Sequence, residues 1–192
     1  KLICPQQHGF MSSRSTTTNL LSCDAVIARH LNNGSSCDVI LLDFARAFDK
    51  VPHDILSRKL LNIGIKGKLH EWLMNFLSGR SQYVSYQSVS SSPVPVTSGV
   101  IQGSVLGPLL FTIFINDLPS AISTVSMWLF ADDAKLVGEA STDEQCVAIQ
   151  CDLEAIHECS VRNKLFLCLP KNQCLHIGKK NRRKSYLISG TS

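Results

Sequence analysis

The spacing of apolar and polar positions changes character several times along the chain, and each change predicts an element. Residues 15–32 have helical spacing: Ser15 or Thr16 caps, Leu20, Leu21, Ile27, Ala28 and Leu31 form an apolar stripe, and Gly34 stops it. DVILLDF, 38–44, is a short unbroken apolar run, which predicts a strand buried on both faces and ending at Asp43. VPHDILSRKLLNIG, 51–64, predicts a helix with Pro52 in its first turn and Gly64 at its end. In the next segment Leu69, Trp72, Leu73, Phe76 and Leu77 recur at helical spacing, which makes Trp72 a core residue rather than a stacking platform. Residues 81–97 alternate around a Ser-rich turn and predict a hairpin.

GVIQGSVLGPLLFTIFINDL, 99–118, reads as a Gly-rich loop entering a buried helix, with Pro108 in its first turn. MWLFADDAKLVG, 127–138, predicts two short strands joined by a tight turn at Ala131–Asp133. Residues 142–162 predict a helix capped by Ser141 or Thr142, with Cys146, Ile149, Leu153 and Ile156 on its inner face. KLFLCL and NQCLHIG predict final strands paired with each other through Pro170–Asn172. Strands and helices do not alternate strictly, so the fold class is α+β rather than a doubly wound sheet.

Composition adds bounds. A chain of 192 residues, 44% apolar and 18% charged, suits one globular domain. The net charge of +4 permits a polyanionic partner without demanding one. Lys179, Lys180, Arg182, Arg183 and Lys184 cluster near the end, as a solvated tail or a phosphate-contacting patch. Eight cysteines without a Cys-x-x-Cys pair suggest reduced thiols, mostly small core residues, inside a cell. Cys174 and His176 lack a second pair to complete a zinc site. The longest apolar run, Val105 to Ile115, is too short to span a bilayer, so no membrane partner is expected. The chain opens on Lys1 and reads as a fragment of a longer protein.

Packing gives no reason for Asp132 and Asp133 to interrupt an apolar segment. An Asp pair in a turn is weak evidence alone, since turns favour Asp. Asp43, at the end of another apolar strand, strengthens it. If the strands are neighbours, three carboxylates converge at one sheet edge, and the charges call for a cation. Magnesium suits carboxylate oxygens and keeps water and phosphate as further ligands. Two such ions about 4 Å apart are the usual apparatus of in-line phosphoryl transfer. The loop at 99–108 has neither a Walker nor a dinucleotide spacing. It is a flexible connection, or a surface for a base and template, with Gln102 offering an amide.

LLDFARAFDKVPHDIL, SGVIQGSVLGPLLFTIFINDL and FADDAKL, in that order, resemble the palm motifs of reverse transcriptases of non-LTR (LINE-type) retrotransposons. QHGFMSSRSTTTNLL is similar to the preceding fingers motif, and KNQCLHIG to the lysine-containing motif after the catalytic hairpin. The resemblance implies a polymerase palm, an antiparallel sheet backed by helices, with part of the fingers and no thumb. It divides the chain into 1–37 (end of fingers), 38–178 (palm) and 179–192 (basic tail). It implies an RNA-directed DNA polymerase that joins dNTPs to a DNA primer on an RNA template, acting in the nucleus. Asp43, Asp132 and Asp133 would be catalytic. Asp43, Asp132 and the Phe44 carbonyl would hold two Mg2+ ions, for which Mn2+ can substitute. Phe48 would be the gate against a ribose 2′-hydroxyl, with a plain core Phe as its competitor. Gln102 and Gly103 would meet the nucleotide or template, Lys171 would assist pyrophosphate departure, and Arg14 would reach a phosphate. Asp49, His53, Asp54, Asn116 and Asp117 match as caps and buried hydrogen-bonding residues.

The chain departs from the family pattern at Met11, Ile101, Cys159 and Cys168, where a basic residue, Pro, Trp and Asn are usual. A thiol in place of a buried indole predicts a loss of about 3 kcal/mol. First fingers segments, thumb and endonuclease are expected in the full element. The alternative is therefore a non-catalytic remnant that at most binds nucleic acid. Another palm-fold enzyme, such as a nucleotide cyclase, has no need of a template surface.

Overall fold

Ser15 and Thr18 begin the first helix by capping each other. The Ser15 hydroxyl accepts from the Thr18 amide at 3.2 Å, and the Thr18 hydroxyl accepts from the Ser15 amide at 2.9 Å. The computed structural model describes residues 2–188, so Lys1 and positions 189–192 of the expected basic tail lie outside the described residues. Helix α1 (Thr16–Asn32) does not bury the expected leucine stripe: Leu20, Leu21 and Leu31 are exposed, and Asn19 and Cys23 face inward. The small thiol lets the helix approach the sheet, and the Asn19 amide donates to the Leu129 carbonyl at 3.1 Å.

β1 (Cys37–Leu42), β6 (Ser126–Phe130), β7 (Asp133–Glu139) and β8 (Gln173–Ile177) form one antiparallel sheet in the order β6-β7-β1-β8. β1 has a strand on each side and a layer over each face, which is why it is apolar without alternation. Cys37, Val39, Trp128 and Val137 pack with Cys23 of α1 on one face. Ile40, Leu42, Met127, Leu129 and Leu136 join the main core on the other. There α5 (Asp143–Arg162) lies close on β7: a Cβ at Gly138 would fall 2.6 Å from Ile149. Its cap is Thr142, paired with Gln145, and Cys146, Ile149, Leu153 and Ile156 are buried as expected.

α2 (His53–Asn62), α3 (Gly67–Leu77) and α4 (Leu106–Phe114) complete the core. α4 buries Leu110, Phe111, Ile113 and Phe114. α3 buries only Leu73 and Leu77, because α2 is its main neighbour. Trp72 is 54% exposed and stacks on Phe76, so it is not a core residue. The hairpin at 81–97 consists of β2 (Ser81–Gln82), β3 (Ser85–Tyr86), β4 (Val89–Ser90) and β5 (Val94–Pro95). β2 pairs with β5 and β3 with β4, and the turn closes at Gln87–Ser88, both at positive φ.

The end of the chain corrects two expectations. β8 pairs with β1, not with KLFLCL, which makes one isolated bridge, Leu167 to Phe44, and then a single 3-10 turn at Leu169–Lys171. Pro170 in that turn lacks the amide a ladder would use. Residues 179–188 are a strap rather than a free tail. The Lys180 amide donates to the Ser36 hydroxyl at 3.0 Å and the Arg182 amide to the Ala140 carbonyl at 3.1 Å. Asp38, fully buried in β1, anchors the strap by accepting from Asn181 at 2.7 Å and from the Tyr186 hydroxyl at 2.6 Å. Among the described residues no helix is long and apolar enough to cross a membrane.

Candidate active site

Leu42 pairs with Ala134 across β1 and β7, so Asp43 and Asp133, one residue further along on each strand, meet at the same end of the sheet. Asp132 sits in the turn between β6 and β7, after Ala131, which is left-handed at φ +56°. Burial pushes the carboxyls of both Asp132 and Asp133 above the usual range, and neighbouring carboxylates push the same way, Asp133 and Asp43 on Asp132, and Asp43 on Asp133.

Asp43 already has a cation. The Lys171 ammonium lies 2.6 Å from its carboxylate, and this pairing raises the pKa of Lys171. The backbone of Asp43 is pinned by the segment that carries this lysine. Its amide donates to Asn172 Oδ1 at 3.2 Å, and its carbonyl accepts from the Cys168 amide at 2.7 Å. The carboxylate oxygens of Asp43, Asp132 and Asp133 do not all lie within 4.8 Å of one another. Among the described residues, the one trio of His, Cys or acidic side chains with all donor atoms within 4.8 Å is Asp38, Cys174 and His176. That trio is poorly suited to a metal: the buried Asp38 carboxylate already accepts from His176, Asn181 and Tyr186.

Asp43 and Asp132 line a cavity of about 730 Å3 together with Phe44, Phe48, Gln102, Gly103 and Lys171. Phe48 stands half-buried in its wall. It stacks on Phe111, with ring centroids 4.3 Å apart, and meets Phe10 edge-on at 6.2 Å. It is thus braced from behind while its free side borders the cavity. Gln102 donates to the Asp49 carboxylate at 2.8 Å. Asp49 is exposed, not a buried hydrogen-bonding residue. Gly99, at φ +88°, presses on the Asp49 backbone, where a Cβ would come within 2.7 Å.

The other matched residues are structural. His53 bonds the Gly99 carbonyl at 2.8 Å, Asn116 accepts from the Cys4 amide at 2.7 Å, and Asp117 pairs with Lys59 at 2.7 Å. Asp54 makes exposed contacts with Arg58, an ion pair at 3.7 Å and a hydrogen bond accepted by its backbone carbonyl at 3.4 Å. Arg14 is not brought to the cavity. It donates to the Pro5 carbonyl and lines a separate groove with His8, Thr18 and Trp128. Two residues were missed by sequence reasoning. Asn172 holds the backbone of Asp43, and Gln7, 1% exposed, holds the backbone of Ala131. Both act on main-chain groups, which no side-chain pattern announces.

Comparison with known proteins gives the family of the chain. The family model described as reverse transcriptase (RNA-dependent DNA polymerase) matches residues 1–188. The chain is 32% identical over 131 residues to the probable RNA-directed DNA polymerase from transposon X-element of Drosophila melanogaster, covering 66% of this chain and 14% of that one. It is 30% identical over 164 residues to the RNA-directed DNA polymerase from mobile element jockey of Drosophila funebris, covering 81% and 18%. It spans roughly one-seventh of the length of such curated relatives. The structure of telomerase from Candida tropicalis in complex with a TWJ fragment of telomeric RNA superposes with a TM-score of 0.67 at 12% identity, covering 95% of this chain and 32% of that one. At that identity the likeness concerns the fold.

Proposed function

Because the chain belongs to the reverse transcriptase family, with non-LTR retrotransposon polymerases as its relatives, we propose that it is the palm of an RNA-directed DNA polymerase. It would join dNTPs to a primer 3′-hydroxyl on an RNA template during retrotransposition, in the nucleus. The observation that carries this reading is the approach of Asp43 to the Asp132–Asp133 turn at one sheet end, beside a cavity bordered by Phe48 and Gln102.

The site fits divalent metal. Its side-chain donors are carboxylate oxygens, the two turn acids are disfavoured as bare anions, and Asp43 has recruited an ammonium. Asp43, Asp132 and the Phe44 carbonyl would hold two Mg2+ ions, with Mn2+ able to substitute; when bound these supply Lewis-acid activation of the hydroxyl and charge stabilisation of the leaving pyrophosphate. Asp133 sets the field of the site. Phe48, braced by Phe111, lies under the incoming sugar and leaves no room for a 2′-hydroxyl. Gln102, oriented by Asp49, contacts the nucleotide or template strand, with Gly103 allowing close approach. Lys171 exchanges Asp43 for the departing pyrophosphate and neutralises its charge.

A second reading, a non-catalytic remnant, draws on Met11, Ile101, Cys159 and Cys168, where the chain departs from the family pattern. Primer extension on an RNA template with Mg2+ or Mn2+, by this chain and by Asp132→Asn, tests the choice. Extension by the parent alone supports the polymerase. Equal extension by both refutes the assigned site, and extension by neither favours the remnant.

A further inference from the structure

We infer that Gln7 is a positioning residue for Asp132, fixing the turn from which that carboxylate projects. Ala131 is left-handed at φ +56°, a conformation that a residue with a Cβ adopts at a cost. Such a conformation persists only where its surroundings over-determine it. Here Gln7 supplies the restraint. Its Oε1 accepts from the Ala131 amide at 3.0 Å and from the Gly9 amide at 2.8 Å, and its Nε2 donates to the Ala131 carbonyl at 3.4 Å. One buried carboxamide thus meets both main-chain groups of the residue before Asp132.

The surroundings hold the carboxamide in place. The His8 amide donates to the Leu129 carbonyl at 2.8 Å, and the Leu129 amide to the Gln6 carbonyl at 3.0 Å, so residues 6–8 run parallel to β6. A Cβ on Gly9 would fall 2.3 Å from the Ala131 nitrogen, so a side chain there would push the segment off the turn. The chemistry selects glutamine. Ionised glutamate keeps the acceptor that holds the Ala131 amide and loses only the 3.4 Å donation to the carbonyl, methionine has the length without either polar function, and asparagine is one methylene short. The inference rests on the polymerase reading only for the purpose of Asp132; the restraint itself is independent of it.

The test compares Gln7→Met, Gln7→Glu and a core control, Leu153→Ala, by amide hydrogen exchange and Mn2+ binding. In Gln7→Met the Ala131 amide is expected to exchange at least about tenfold faster than the loss of global stability accounts for, with Mn2+ affinity lowered about tenfold. In Gln7→Glu, which keeps both acceptor contacts, the same amide stays protected. Leu153→Ala is expected to change exchange only in step with global stability. The inference is overturned if Ala131 protection in Gln7→Met merely tracks global stability as in the control. If Gln7→Met does not fold, loss of Ala131 protection in Gln7→Glu overturns it instead. A parent that binds no Mn2+ counts against the polymerase reading, and the exchange data still decide the role of Gln7.

Discussion

The ammonium of Lys171 lies 2.6 Å from a carboxylate oxygen of Asp43, the first residue beyond β1. A ligand of the proposed metals is therefore already paired with an internal cation, and metal must compete for it. Lys171→Met is expected to tighten Mn2+ binding to the protein alone by several-fold, measured by electron paramagnetic resonance. In an active enzyme the same change is expected to slow turnover. Weaker Mn2+ binding in the variant would contradict this competition.

Asp132 and Asp133 both have raised pKa values in the folded chain. A carboxyl whose folded pKa exceeds its unfolded one favours folding at low pH. That contribution is complete below the unfolded value and is lost as pH rises through the folded value. Asp132→Asn removes the charge, so it is expected to raise the melting temperature of the metal-free protein at neutral pH by about 2 °C. The gain is expected to shrink as pH falls towards the ordinary carboxylate range. Thermal melts across pH check it, and a gain that grows on acidification would contradict the assignment.

Phe48 stacks on Phe111 at 4.3 Å and borders the cavity. Phe48→Ala is expected to relax discrimination against ribonucleotides at least about tenfold in an active polymerase, because about 1–3 kcal/mol of steric exclusion disappears. Competing dNTP and rNTP incorporation measures it. Unchanged discrimination would return Phe48 to a purely core role.

Asp38 is fully buried and accepts hydrogen bonds from His176, Asn181 and Tyr186. Asp38→Ala strands three donors between β8 and the strap, with an expected loss of about 3 kcal/mol in denaturant unfolding. A loss below about 1 kcal/mol would mean that water replaces the carboxylate without cost.

The hairpin that carries Asp132 and Asp133 was legible because two like charges inside an apolar run have no packing purpose. β1 was legible because a strand covered on both faces leaves an unbroken apolar trace. Periodicity identified α1 and α3 as helices but misjudged what they bury. Leu20, Leu21, Leu69 and Trp72 are exposed, since the spacing of a stripe does not say whether a neighbour covers it. The pairing of β8 with β1 was hidden because strand partners are chosen across the fold, and Pro170 looked like a turn between neighbours. Gln7 and Asn172 were hidden for another reason: they bind backbone, and any sequence at the receiving end presents the same amide and carbonyl.

The central claim is that Asp43, Asp132 and Asp133 form one divalent-cation site. Mn2+ binding to the chain and to Asp132→Asn, followed by electron paramagnetic resonance with Mg2+ as competitor, tests it most directly. The account expects saturable binding in the parent, displacement by Mg2+, and at least about tenfold weaker binding in Asp132→Asn. Equal affinity in the two proteins, or no saturable binding in the parent, would contradict it.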